Sequence, residues 1–323
     1  MKKPITNDQV PPISWTAGDW TLLYTKAGML NSAQSDALSD VVKVKRIPDA
    51  FYGYNSLYLI NSKHDFVYKI AATDSLKLCS LEERKAHDFL SLEKDKKIED
   101  LKSLVDEENK KYNEKKEVYN PINVIPELIL AKQSEMWKKK DFSKIKDFQH
   151  LEVTSDWTYT TPYKGSLAYL SKTSIPNFTN TIAPEKSLII TEPTNDQLPL
   201  HKLGQDNPIL NYAEVPFFED DLDDLGFAQA MIRFRVMADS FYVLLRNYVR
   251  VDGLIVRVMD TRLYHALDSN ELLREFQYKE CTYEELMHKG FTFSSEWVLS
   301  SVQSDTVFQM LDLKAKFIDK III

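Results

Sequence analysis

Cysteine is almost absent. Only Cys79 and Cys281 occur among 323 residues, with no CxxC or Cys/His cluster around them. That speaks against a disulfide scaffold and a structural zinc site, and it fits a reducing compartment. Glycine is scarce as well, at 8 residues. No GxGxxG, P-loop, HExxH or GxSxG pattern is present, so phosphate-cradling loops and the common hydrolase signatures are missing. Positive charge is not in excess: 41 basic residues face 48 acidic ones, for a net charge of −7. Such a balance is unsuited to wrapping nucleic acid, whose binding is dominated by phosphate neutralisation. No run approaches the ~20 apolar residues of a membrane span. The start, MKKPITNDQVPP, lacks an apolar h-region, so no secretory signal is expected. The expected location is the cytoplasm, with the nucleus as a second compartment, and no cofactor is expected.

What is present is organised around Met231 to His265. Ile232, Phe234 and Val236 alternate with Arg233 and Arg235, the period-2 mark of a strand with one buried face. Phe241, Leu244, Leu245, Tyr248 and Val249 then fall at i, i+3, i+4, i+7, i+8, which predicts a helix capped by Asp239 or Ser240. Leu254 to Val258 reads as a buried strand. Polar groups crowd its exit, Met259-Asp260-Thr261-Arg262-Leu263-Tyr264-His265. On a strand, Asp260, Arg262 and Tyr264 share one face and Thr261, Leu263 and His265 the other.

Residues 1–14 read as a flexible tail. Trp15 to Lys26, around Gly18, predicts a strand or hairpin. Asn31 or Ser32 caps a helix with Ala33, Ala37, Leu38 and Val41 on one face. Tyr52 to Asn55 is a turn, and strands at 57–60 and 66–70 form a hairpin. Thr73 or Asp74 caps a short helical turn. Residues 81–124 are dense in Lys and Glu with few apolar positions, a helical or disordered insertion. A strand is expected at 128–131 and another around Asp156-Trp157-Thr158-Tyr159, with Tyr163-Lys164-Gly165 as a turn. Further strands are expected at 187–191 and 209–218, where Pro216 marks an edge or a break. Glu219 to Asp224 reads as a solvated acidic turn rather than a metal site. A helix is expected over 306–314. No regular βαβ rhythm is present, so the fold class is α+β with mainly antiparallel pairing in a single domain over 15–323.

Two functional readings stay open on residue chemistry alone. An enzyme, metal-dependent or hydrolytic, could use Asp260, Tyr264 and His265, although His265 sits on the wrong face of a continuous strand. A recognition module could use Trp157, Tyr159, Tyr264 and nearby basic groups, with Lys164, Arg257 or Arg262 holding an acidic segment or a C-terminal carboxylate.

Several blocks are more specific. Asp156 to Thr161 with Tyr163-Lys164-Gly165 resembles the DWTYTT-x-YKG signature of the TIPRL family, regulators in TOR signalling. RFRVM, SFYVLLRNYVRVDG and DTRLYH, within Ile232 to His265, resemble further blocks of that family. So do Ala72-Thr73-Asp74-Ser75-Leu76 and the acidic Phe218 to Leu222, in the same order along the chain. The resemblance implies two stacked, mostly antiparallel β-sheets flanked by helices. It implies a non-enzymatic protein that binds catalytic subunits of type 2A-family serine/threonine phosphatases (types 2A, 4 and 6). Such a protein holds their C-terminal tail in a cleft and modulates their activity, with inhibition as the expected sign. An alpha4-type phosphatase-associated protein is a further implied partner. Carried over by position, Asp74, Leu198, Val258 and Asp260 are tied to phosphatase binding. The expected mechanism places the tail in a cleft beside Asp260 and Arg262 while Asp74 and an apolar rim touch the catalytic domain. On that view Asp260→Ala and Asp74→Ala weaken binding without unfolding the protein.

Overall fold

The computed structural model describes residues 10–42, 47–76, 163–178, 189–204, 207–221, 226–252, 255–292 and 304–323. The predicted insertion at 81–124, the strand at 128–131, Trp157 and Tyr159 lie outside the described residues. Every described strand pairing is antiparallel, in two sheets.

The smaller sheet has the order β1-β2-β4-β5-β6. It is built from β1 (Ile13–Ala17), β2 (Trp20–Thr25), β4 (Ser56–Asn61), β5 (Phe66–Ala71) and β6 (Ser166–Tyr169). Strand β1 starts inside the predicted tail, because Ile13 and Ser14 find partners in Tyr24 and Leu23. The turn between β1 and β2 uses Gly18 at φ +58°, a conformation that a two-residue hairpin asks for and glycine supplies without strain. Helix α1 (Ser32–Val42) starts with a reciprocal cap: Asn31 Oδ1 accepts from Gln34 N at 3.0 Å and Gln34 Oε1 from Asn31 N at 2.9 Å. Its packed side runs through Leu38 and Val42, leaving Val41 exposed, which shifts the predicted face.

The larger sheet has the order β3-β8-β9-β10-β11-β12-β13-β7. Its members are β3 (Ala50–Phe51), β7 (Ile190–Pro193), β8 (Ile209–Asp220), β9 (Gly226–Met237), β10 (Ser240–Val251), β11 (Ile255–Ala266), β12 (Glu271–Thr282) and β13 (Asp312–Ile322). Helices α2 (Tyr283–His288) and α3 (Ser304–Met310) follow β12. The helix expected over 306–314 thus ends early and gives way to β13. Pro216 lies where the β8–β9 register shifts, so its missing N–H falls at an irregularity, as its position suggested.

The helix predicted at Phe241–Val249 is a strand. Phe241, Val243, Leu245 and Val249 face the smaller sheet, while Tyr242 and Tyr248 pack into clusters on the opposite side. Both faces are covered, so apolar residues fill both, and the resulting spacing imitates a helical stripe. Pairing with β9 and β11 along the whole strand overrides that local pattern.

The two sheets stack through one core. Trp20 sits at its centre, edge-on to Phe66 at 5.3 Å and Phe241 at 5.2 Å, and Tyr24 meets Phe234 at 5.1 Å. Buried Asn55 ties the layers with polar bonds: its Oδ1 accepts from Ala27 N at 2.6 Å and its Nδ2 donates to Pro216 O at 2.7 Å. Of the acidic stretch predicted as a turn, residues 222–224 lie outside the described residues. Glu219 and Asp220 end β8, where Glu219 accepts from Gln229 at 2.7 Å and buried Asp220 from Asp49 N at 3.1 Å.

Candidate functional site

Strand alternation decides which predicted residues meet. Along β11 the side chains of Val256, Val258, Asp260, Arg262 and Tyr264 point away from the smaller sheet. Read in order they are apolar, charged, apolar, and each part has its own cover. Val256 and Val258 lie under Val307, Phe308 and Leu311 of the α3 region, with Tyr248, Cys281 and Leu286. Tyr264 lies with Tyr242, Met237 and Ile318 under Leu198. The segment carrying Leu198 is held down by Tyr242, whose hydroxyl donates to Pro199 O at 2.8 Å, and by Thr194 N on Ile318 O at 3.0 Å.

Between the two covers lies a band of charge. Arg246 grips Asp260 with two parallel bonds, Nε to Oδ1 and Nη2 to Oδ2, both 2.7 Å. Arg262 reaches Asp260 Oδ2 at 2.9 Å and Glu275 Oε1 at 3.0 Å. Lys316 Nζ stands 2.8 Å from Glu275 Oε2 and 3.2 Å from Gln197 Oε1. Gln277 donates to Glu275 at 2.8 Å. Lys279 closes the band beside the Phe308 ring, 4.1 Å from its centre. Among the described residues, four basic side chains (Arg246, Arg262, Lys279, Lys316) meet two carboxylates (Asp260, Glu275). Asp260 is fully buried and Lys316 and Arg262 reach the surface, at 29% and 15% side-chain exposure. Positive charge therefore faces outward over a neutralised floor.

The predicted site residues that are described fall in three places. Leu198, Val258, Asp260, Arg262 and Tyr264 come together on the outer face of the larger sheet. Asp74 does not join them. It follows β5 in a short helix at residues 72–76 and pairs with Lys69 Nζ at 2.5 Å, on the outer side of the smaller sheet. Neither Asp74 nor Thr73 caps that helix, which starts before them. Its carboxylate lies near Tyr58, whose hydroxyl is pushed up to about 12 by burial first and by Asp74 second. Asp74 and Asp260 thus lie on two surfaces, on opposite sides of the sandwich.

Lys164 has a third placement. Its ammonium lies over the stacked rings of Phe276, at 4.5 Å, and Phe317, at 3.9 Å, on the inner side of the larger sheet. Tyr163 next to it accepts from Ala71 N at 3.0 Å, and the Lys164 carbonyl accepts from the Tyr68 hydroxyl. This turn pins the edge of one sheet to the other.

His265 faces the core, as alternation predicted. Its ring lies 4.7 Å from Trp20 and 5.2 Å from Phe241. Nδ1 is 3.0 Å from Glu271 O, a contact that places the proton on Nδ1, and buried Nε2 has no hydrogen-bond partner among the described residues. Asp260 and His265 therefore point to opposite faces, which removes the shared substrate position that an Asp260–Tyr264–His265 enzyme needs. Burial lowers the His265 pKa, against a smaller upward pull from the Glu271 carbonyl. The folded protein thus resists a proton that the unfolded chain takes up near pH 6.5. Stability is constant above that value and falls as pH drops below it. The midpoint of thermal unfolding is expected to fall between about pH 7.5 and about pH 5.5, and to fall less in His265→Gln. Equal slopes in the two proteins would remove His265 as the cause.

Arg246, Glu275, Gln277, Lys279, Phe308 and Lys316 complete the site and were not singled out from the sequence. Arg246 lies within the segment whose apolar spacing predicts a helix, off its apolar stripe. The usable signal was the equal length of β9, β10, β11 and β12, each of 12 residues, with short polar breaks between them. Elsewhere, a polar cavity of about 160 Å³ opens between the turns near Asp19, His64 and Asp268, and it includes none of the predicted site residues.

Comparison with known proteins adds an independent line. A model of the TIP41-like family matches residues 50–287. The human TIP41-like protein is 27% identical over 273 residues, covering 84% of this chain and 78% of the relative. A Dictyostelium discoideum TIP41-like protein is 24% identical over 307 residues, covering 95% and 91%. The Saccharomyces cerevisiae protein named type 2A phosphatase activator TIP41 is 28% identical over 280 residues, covering 85% and 65%.

Proposed function

As the chain belongs to the TIP41-like family, we propose that it is a non-enzymatic regulator that binds the catalytic subunits of type 2A, 4 and 6 phosphatases through the outer face of its larger sheet. An extended acidic tail of the phosphatase lies along the charged band, between the Leu198 segment and α3. The observation that carries this reading is the surplus of basic over acidic side chains around Asp260, exposed at Lys316 and Arg262. Charge-assisted bonds there favour carboxylates over neutral segments. The apolar covers on both sides supply contact surface for the residues flanking the tail.

Asp74 and Lys69 offer a second contact on the smaller sheet, available to a catalytic domain large enough to reach past the edge of the sandwich. Two yeast relatives carry the name type 2A phosphatase activator, whereas the tail-holding reading leads to a lower turnover of the bound subunit. The alpha4-type phosphatase-associated protein is a further proposed partner, met in the cytoplasm.

Lys316 and Lys202 are the cations to remove first, since both sit at the rim, and Lys202 reaches Tyr264 and Asp239 rather than the buried band. The double variant Lys316→Gln, Lys202→Gln is expected to bind a purified type 2A catalytic subunit about tenfold more weakly, with a shallower salt dependence. Unchanged affinity in that variant, together with loss in Asp74→Asn, would move the binding surface to the smaller sheet. Turnover of a phosphopeptide by the bound subunit, measured alongside, gives the sign of regulation.

A further inference from the structure

Phe308 stands where an anion is called for. Its ring centre is 4.8 Å from the guanidinium carbon of Arg246, 4.8 Å from that of Arg262 and 4.1 Å from Lys279 Nζ. Three cations thus share one aromatic ring. The carboxylates of Asp260 and Glu275 are already engaged by arginine and Lys316. Lys279 has only the Phe308 carbonyl, at 3.0 Å, and that ring as its described partners. Its pKa is pushed down by burial first and then by the charge of Arg262. A half-buried ammonium beside two guanidinium groups, within the field of Asp260 but with no carboxylate bonded to it among the described residues, is an unusual arrangement. The ring's negative face offsets part of this charge, but a carboxylate offsets more and adds directional bonds.

The cover is also small. Helix α3 spans Ser304–Met310, and its described apolar anchors are Val307, Phe308 and the partly buried Met310, with Leu311 just beyond. We infer that Lys279, Arg246 and Arg262 form a carboxylate-binding subsite that the Phe308 ring fills in the free protein, and that an acidic side chain of a bound peptide segment displaces the ring. The subsite follows from the side chains alone; only the identity of the peptide, a phosphatase tail, rests on the function proposed above.

The test uses the full chain and a short fluorescent oligoglutamate peptide with a free C-terminal carboxylate, followed by anisotropy. Phe308→Ala is expected to bind the peptide about tenfold more tightly than wild type. The gain disappears when Lys279→Met is added. Phe308→Val vacates much of the ring's space while keeping an apolar group in the cluster, and it carries the test if the alanine variant loses its native circular dichroism. No gain in a folded variant overturns the subsite, as does a gain that persists without Lys279. A type 2A catalytic subunit is titrated in parallel. If the peptide gain appears but the phosphatase binds none of the proteins, the subsite stands and the proposed partner falls.

Discussion

Asp260→Ala is expected to lower the free energy of unfolding by about 3–5 kcal/mol, the usual cost of removing one partner from a buried charge network. Asp260 is fully buried, and its two oxygens take three bonds from Arg246 and Arg262. Alanine leaves two guanidinium groups packed against the Phe308 ring with Glu275 as the remaining nearby described carboxylate. Arg246 is itself buried. A loss of binding in Asp260→Ala would therefore report on the fold as much as on the site. Urea unfolding followed by circular dichroism gives the result directly. The midpoint should fall with an unchanged slope. A midpoint within error of wild type would mean that the network contributes nothing net. Replacing Asp260 and Arg246 together by apolar residues of similar size should recover much of the loss, because such pairs are weak contributors to net stability.

Gly165→Ala is expected to cost roughly 3 kcal/mol, from left-handed backbone strain plus local overpacking. Gly165 has φ +82°, and an added Cβ would stand 2.5 Å from Tyr68 Cε1, 2.8 Å from Lys69 O and 3.1 Å from Ile70 Cγ1. The Lys69 carbonyl belongs to the β5–β6 pairing and cannot yield without breaking it. The damage should extend to the neighbouring residues, since Tyr163 and the Lys164 carbonyl bond to Ala71 and Tyr68 on the same strand. It should also loosen Lys164 from Phe276 and Phe317. Amide exchange would show this as faster opening of β5 and β6 than of β10 and β11. Uniform acceleration across both sheets would contradict that local account.

The Tyr163-Lys164-Gly165 turn shows what a motif does and does not convey. Its residues are recognisable in the chain, and so is the need for glycine in a turn. That Tyr163 reaches β5, and that Lys164 lies on rings from β12 and β13, depends on residues 92 or more positions away. The same holds for Asp260, Arg262 and Tyr264. Alternation along one strand places them together, and places His265 opposite, with no knowledge of the fold. It does not reveal that Asp260 is a buried counter-ion, because burial depends on the neighbouring strands and their covers.

The antiparallel α+β character, the first two hairpins, the cap of α1 and the face of β11 were determined by the sequence alone. Each follows from contacts within a few residues: period-2 alternation, turn glycines, a cap three residues from its partner. The strand nature of Ser240–Val251, the opposition of Arg246 to Asp260 and of Arg262 to Glu275, and the separation of Asp74 from Asp260 were decided by tertiary structure. Those features depend on register between strands and on which sheet covers which face. Register is set by the simultaneous packing of both layers, and no local pattern of residues carries that information.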